Sequence, residues 1–204
     1  MISKLFNKNK NRCMERAKYF LHGGATGKDT ERNHVFFREI IDSVGNKPIN
    51  ILLIYFARAE GVWRSLFEED MKKFTEASFR RGLHNIEVGD INVGILSDQI
   101  KEANIIFIRG GDTDKLRRKM DEVANLEDLL QGKVIAGSSA GAYILSSYYY
   151  ANSKNEIKQG MGILPIKIFA HYSDDQIDNF RKLEMFGPDM PVLKIEEADF
   201  EVYT

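Results

Sequence analysis

Three times in this chain a short apolar segment runs straight into glycines. Lys18 to Leu21 precede His22-Gly23-Gly24, Asn104 to Ile108 precede Arg109-Gly110-Gly111, and Lys133 to Ala136 precede Gly137-Ser138-Ser139-Ala140-Gly141. Apolar runs this short and without alternation suit strands covered on both faces, which are the strands of parallel sheets. Between them lie stretches with helical spacing: Val35, Phe36, Ile40, Ile41 and Val44 within 31–44, and Phe67, Met71, Phe74 and Phe79 within 61–83. Further strands are expected at 50–56 and 85–93 and a short helix at 97–103, with another helix capped by Asp112 or Thr113. Strands alternating with helices, with no obvious hairpins, predict an α/β fold: a mainly parallel sheet with helices on both faces and right-handed crossovers. Ligands gather beyond the carboxyl ends of such strands, and all three glycine turns fall there. That edge is the expected site.

The third turn carries the chemistry. A serine with glycines two residues to either side can occupy a strained strand-to-helix elbow, because bulkier neighbours would collide with the adjoining chain. The hydroxyl of Ser139 is then presented beside the amides of the first helical turn. Those amides lack partners inside the helix and sit at the positive end of its dipole, so they suit an oxyanion formed when the serine attacks a carbonyl. The competing reading is a small-residue turn that merely lets a helix pack close to the sheet.

A serine hydroxyl is a poor nucleophile until a base takes its proton, and histidine is the usual choice. Of His22, His34, His84 and His171, only His171 follows Ser139, at the end of the strand-like segment Ile163 to Ala170. His171 is the expected base and His22, at a strand end, the reserve. His34 lies on the polar side of a helix and His84 in a helix-to-strand loop. For the group that orients the imidazole, the carboxylate between Ser139 and His171 is Glu156. It is either the third catalytic residue or a solvated loop charge, and a dyad helped by a backbone carbonyl or by Asn155 is the other possibility. Gly110-Gly111 is either a second source of oxyanion donors or a plain helix-start turn.

Composition narrows the partners. With 29 basic and 30 acidic residues the formal charge is −1, which provides no field to gather nucleic acid or an anionic membrane, so a peptide or small molecule is the default partner. A length of 204 residues with 43% hydrophobic side chains suits one core, and 18–204 is read as a single catalytic domain. Residues 1–17, rich in lysine and arginine and without a continuous apolar run, are read as a flexible extension rather than a secretory signal. The single cysteine, Cys13, permits no intrachain disulfide and fits a reducing compartment. No stretch approaches the roughly 18 apolar residues of a membrane span, and a cytoplasmic location is expected. No Cys/His spacing fits zinc, Asp174, Asp175 and Asp189 look like solvated charges, and neither metal nor cofactor is expected. Tyr148-Tyr149-Tyr150 either lines a pocket or packs beneath a loop.

These residues resemble the peptidase E group of serine peptidases, which includes aspartyl dipeptidases and cyanophycinase relatives. The likeness is carried by Ile105 to Thr113 with Leu116, by Ala136 to Ala142, and by Leu164-Pro165 ahead of His171-Tyr172. It implies a three-layer α/β/α fold like that of class I glutamine amidotransferases, with Ser139 as nucleophile, His171 as base and the amides of Gly111 and Ala140 as the oxyanion hole. Gly110 and Asp112 would then border the substrate. Asp112 stands where the group commonly has asparagine, a charge suited to a substrate's free amino group. The arginine that aspartyl dipeptidases place shortly after the histidine is absent: its place falls near Ser173 or Asp174, and the nearest arginine is Arg181. The chain also ends at Thr204, where relatives usually add strands, which implies a trimmed rim.

The expectation is therefore a serine peptidase acting on short peptides through an acyl-enzyme. An α/β-hydrolase esterase is disfavoured, because that fold brings its acid and histidine from later strands. Glutamine amidotransferase chemistry needs cysteine at the elbow. The reading from another class is a binding or regulatory protein that kept the fold and lost turnover.

Overall fold

The computed structural model describes residues 16–204. Cys13 and nearly all of the expected N-terminal extension lie outside them. The strands are β1 (Lys18–His22), β2 (Asn50–Ile54), β3 (Asn85–Val88), β4 (Ile105–Ile108), β5 (Val134–Ser138), β6 (Ser146–Ala151), β7 (Glu156–Gln159), β8 (Leu164–Tyr172), β9 (Val192–Glu196) and β10 (Phe200–Tyr203). The helices are α1 (Glu31–Asp42), α2 (Trp63–Ala77), α3 (Val93–Glu102), α4 (Thr113–Met120), α5 (Leu126–Leu130), α6 (Ala140–Leu145) and α7 (Ile177–Met185).

Six strands form the central sheet in the order β10-β1-β5-β4-β2-β3, parallel throughout except for β10. Its side chains divide with the two-residue period of a strand. Phe20, Ile51, Leu53, Ile105, Phe107 and Ala136 enter one core with Phe36, Phe37, Ile40 and Phe74 of α1 and α2. Leu21, Leu52, Ile54, Ile106, Ile108 and Ile135 enter the other with Leu96, Ile100, Leu116 and Ile144 from α3, α4 and α6. Burial on both faces explains why these strands read as unbroken apolar runs, and the result is three layers, α/β/α. The register aligns His22 with Ser138, Gly137 with Ile108, and Ile108 with Ile54, so the turns after these strands share one edge.

Three features depart from the sequence reading. The strand expected at 85–93 ends at Val88, and the helix expected at 97–103 already begins at Val93, because the Asn92 side chain caps it by accepting from the Gly94 and Ile95 amides. Trp63 begins a helix that ends at Ala77, well short of residue 83, because Phe79 is largely exposed and has no core to join. The last third of the chain builds a second sheet, ordered β7-β6-β8-β9, in which β6 and β7 form an antiparallel hairpin. The hairpin was unexpected because its turn, 152–155, holds no glycine; Asn155 takes the left-handed conformation instead, at φ 53°. Tyr150 is buried in this sheet, stacked on Phe169 at 5.0 Å between ring centres, whereas Tyr149 stacks on Tyr143 of α6.

Candidate active site

Ser139 is the single residue between β5 and α6, and its backbone is strained, with φ 50° and ψ −108°. Such a conformation costs about 1–3 kcal/mol and persists only where its surroundings enforce it. They do so here through backbone. The Ser139 amide donates to the His22 carbonyl at 2.9 Å, tying the elbow to β1, and its own carbonyl accepts from Tyr143 one helical turn on at 2.9 Å. The flanking glycines are demanded by crossing chains. A Cβ on Gly141 would lie 2.2 Å from the Ile108 carbonyl oxygen, and one on Gly137 would lie 2.6 Å from the Gly141 carbonyl carbon. This is the collision that Gly-x-Ser-x-Gly avoids.

His171 arrives from the second sheet. It sits at a register shift between β8 and β9, with φ 57°, and a bulge of this kind re-aims a side chain. Its Nε2 lies 2.7 Å from Ser139 Oγ. Its backbone amide donates to the Gly23 carbonyl at 3.1 Å, and Gly24 lies so close beneath the ring that a Cβ there would be 2.1 Å from Cε1. The first glycine turn therefore seats the imidazole.

On the far side of the ring, Nδ1 faces Glu197 Oε1 at 3.2 Å. Glu197 stands in the turn between β9 and β10, and its other oxygen accepts from Lys28 Nζ at 2.7 Å. Lys28 first, and the imidazole second, hold this carboxyl below the usual glutamate range. Glu156, expected beside His171, is not there. It opens the edge strand β7, paired across the hairpin with Ala151, and its nearest ionic partner is Lys158 at 3.9 Å. Asn155 accepts from the Tyr150 hydroxyl in the same hairpin. The sequence reading missed Glu197 because it sought the acid only between serine and histidine. The available signal was a carboxylate in a short polar turn between two later apolar segments.

The other histidines are engaged elsewhere. His22 is fully buried: its Nδ1 accepts from the Gly24 amide at 3.0 Å and its Nε2 meets Asn33 Oδ1 at 2.8 Å. Asn33 Nδ2 donates to the carbonyls of Ala25 and Lys28, so its oxygen faces the ring and Nε2 carries the proton. Burial, foremost, pushes His22 down to about 4. It is a neutral strut for the Gly23-Gly24 turn. His34 pairs with Asp29 on the surface at 2.5 Å, and His84 is exposed beyond α2.

The second glycine turn closes on the elbow. A Cβ on Gly110 would be 2.9 Å from that of Ser139, and Gly111, at φ 153°, runs so near Ala57 that a Cβ there would be 2.3 Å from its carbonyl oxygen. Among the described residues the amides of Gly111 and Ala140 have no hydrogen-bond partner, and Ala140 opens α6 where no intrahelical partner exists. Asp112 is exposed and caps α4, its Oδ1 accepting from the Lys115 amide at 2.9 Å. A cavity of about 280 Å³ adjoins this turn, lined among others by Gly111, Asp112, Tyr149 and Lys154. Within it Lys154 and Lys158 converge on Asp114 and draw its carboxyl down to about 2. A larger cavity, about 510 Å³, lies between α1 and α2, and neither it nor the 280 Å³ cavity is lined by Ser139 or His171. Ser173 and Asp174 start a 3-10 turn, and Arg181 reaches toward Asp178 at 3.9 Å. Among the described residues no group of acidic, histidine or cysteine side chains is arranged to hold a metal, and no helix is long and apolar enough to cross a membrane.

A strained serine elbow meeting an imidazole at the edge of a doubly covered parallel sheet marks the serine hydrolases of α/β architecture. The chain belongs to peptidase family S51, whose model matches residues 19–199. It is a serine-type peptidase, and its substrates are peptides. Among solved structures it is similar to a peptidase from an acI-B1 Actinobacterium, with a TM-score of 0.66 and 20% identity over 92% of this chain and 83% of that one. It is also similar to a putative peptidase E protein from Listeria monocytogenes EGD-e, with a TM-score of 0.57 and 18% identity over 89% of this chain and 90% of the other. At these identities the likeness concerns the fold. No curated protein gives a significant match.

Proposed function

We propose that the chain hydrolyses short peptides, as a dipeptidase or exopeptidase, through an acyl-enzyme on Ser139. His171 Nε2 takes the hydroxyl proton as Oγ attacks the scissile carbonyl, and Glu197, in the place first given to Glu156, holds the imidazole through Nδ1 and steadies its positive charge. The carbonyl oxygen becomes an oxyanion between the amides of Gly111 and Ala140. The imidazolium then protonates the leaving amine, the C–N bond breaks, and water attacks the ester by the same route in reverse. Atoms and charge balance without a cofactor. The observation that supports this reading is the 2.7 Å contact between Ser139 Oγ and His171 Nε2, with both residues in left-handed backbone conformations fixed by the β1 turn. A substrate with its free amino group at Asp112 would extend from Ser139 toward the 280 Å³ cavity that Gly111 and Asp112 border. The reading as a non-catalytic relative rested on a weak acid and a short C-terminus, and the approach of Glu197 Oε1 to His171 Nδ1 at 3.2 Å supports the catalytic reading on the first of these.

A fluorophosphonate probe tests the nucleophile. The wild type labels at Ser139, and Ser139→Ala abolishes both labelling and hydrolysis of a panel of dipeptides varied at the first position. A folded wild type that neither labels nor cleaves any member overturns the reading.

A further inference from the structure

The peptide joining Gly110 to Gly111 has no side chain on either flank, so little steric resistance keeps it from flipping. A flip would put a carbonyl oxygen where the oxyanion needs an amide. Something must hold it, and Arg58 is placed to do so. Arg58 lies in the loop after β2, and its Nε donates to the Gly110 carbonyl oxygen at 2.5 Å. That carbonyl and the Gly111 N–H are opposite ends of one planar trans unit and point in opposite directions. Securing the oxygen on Arg58 therefore turns the N–H away from the guanidinium, and among the described residues this N–H is without a partner.

Arg58 is itself well anchored. Its amide donates to the Tyr55 carbonyl at 2.8 Å, while its carbonyl accepts from Lys115 Nζ at 2.9 Å and from Trp63 Nε1 at 3.4 Å. One residue back, the Ala57 carbonyl accepts from the Asp112 amide at 2.9 Å. The loop after β2 thus grips the turn after β4 at both ends, with the Gly110–Gly111 peptide between the grips. A hydrogen bond from a cation also polarises the amide it touches, and that makes the N–H at the other end a better donor.

We propose that Arg58 is a positioning residue for the oxyanion hole. It holds the Gly110–Gly111 peptide with its N–H available to the developing oxyanion and strengthens that N–H as a donor. This rests on the reading of Gly111 as an oxyanion donor and adds what keeps the donor in place.

The test compares wild type, Arg58→Ala and Arg58→Gln for the rate of fluorophosphonate labelling, for kcat and KM on the best substrate of the dipeptide panel, and for Tm. Loss of a whole oxyanion donor costs about 10²–10³ in kcat, so loss of its support is expected to cost about 10–100-fold. Labelling slows in parallel, while KM and Tm stay close to wild type. Arg58→Gln, which keeps a neutral donor, falls between, and added methylguanidinium restores part of the Arg58→Ala rate, which a purely structural role would not allow. An unchanged kcat in Arg58→Ala, a rise in KM alone, or a loss of rate that methylguanidinium does not relieve overturns the proposal. Failure of the underlying reading looks different. A peptide aldehyde that binds wild type no better than the matching alcohol removes the oxyanion hole, whatever Arg58 does.

Discussion

The two halves of the candidate site are held by different means. The serine half is enforced by backbone: Ser139 hangs between β5 and α6, tied to β1, with Gly137 and Gly141 wedged against crossing chains. The imidazole half shares one such tie, the His171 amide on the Gly23 carbonyl, but depends for the rest on side chains and distant strands. His171 rests on Gly24, and its partner Glu197 stands on a turn whose charges pair with Lys28 and, through Asp199, with Arg32. A backbone-enforced element is written in a few adjacent residues and tolerates little change. One held by side chains is written across the chain and yields by degrees.

The largest expected effect strikes the imidazole half at its acid. Glu197→Gln lowers kcat by about 10³–10⁴ on the precedent of triad carboxylates, while Glu156→Gln leaves it within about twofold. Steady-state kinetics on the two variants decide between them, and the reverse ranking would break the comparison. Next, Gly24→Ala drives a methyl into the His171 ring and forces alanine to φ 122°, so activity falls by about 100-fold, the cost of an ångström's misplacement. Labelling of the variant by fluorophosphonate should slow to match, since the base is displaced.

A third prediction concerns pH. Because His22 is held near 4 in the fold against about 6.5 when unfolded, its neutrality contributes stability above pH 6.5 that is lost as pH falls toward 4. At about 1.36 kcal/mol per pKa unit, the loss across that window is on the order of 3 kcal/mol. Urea titrations across that window should show the loss, and His22→Asn should flatten it while lowering stability at neutral pH. The smallest effect belongs to Lys28. Its pair with Glu197 is half-exposed on both sides, so Lys28→Gln costs about 0–1 kcal/mol of stability and only a few-fold in kcat. A collapse of activity in that variant would show that the imidazole half is more rigidly supported than its exposure suggests.

How much of this was legible in sequence follows the same division. The central strands and the elbow could be read because burial on both faces leaves an unbroken apolar run and because crossing backbones demand glycine at fixed spacing. His171 was reached by elimination among four histidines, and the contact with Ser139 Oγ follows from a bulge that no residue type announces. Glu197 was not reached. Its approach depends on β9 running beside β8 and β10 beside β1, pairings between segments far apart in the chain that a local pattern does not record. The same blindness hid the second sheet, since β7 is short, polar and stabilised mainly by its hairpin partner.

The pairing of β10 with β1 sets a schedule for the enzyme's assembly. Serine and imidazole leave the ribosome before the turn that brings Glu197, and that turn is fastened both by its own bonds, Ala198 N–H to the Gly24 carbonyl and Gly23 N–H to the Asp199 carbonyl, and by the pairing of Phe200 to Tyr203 with β1. On the proposed mechanism, the carboxylate that orients the imidazole would therefore be the last of the three groups to be synthesised, so that full activity would wait on the segment from Glu197 to Tyr203.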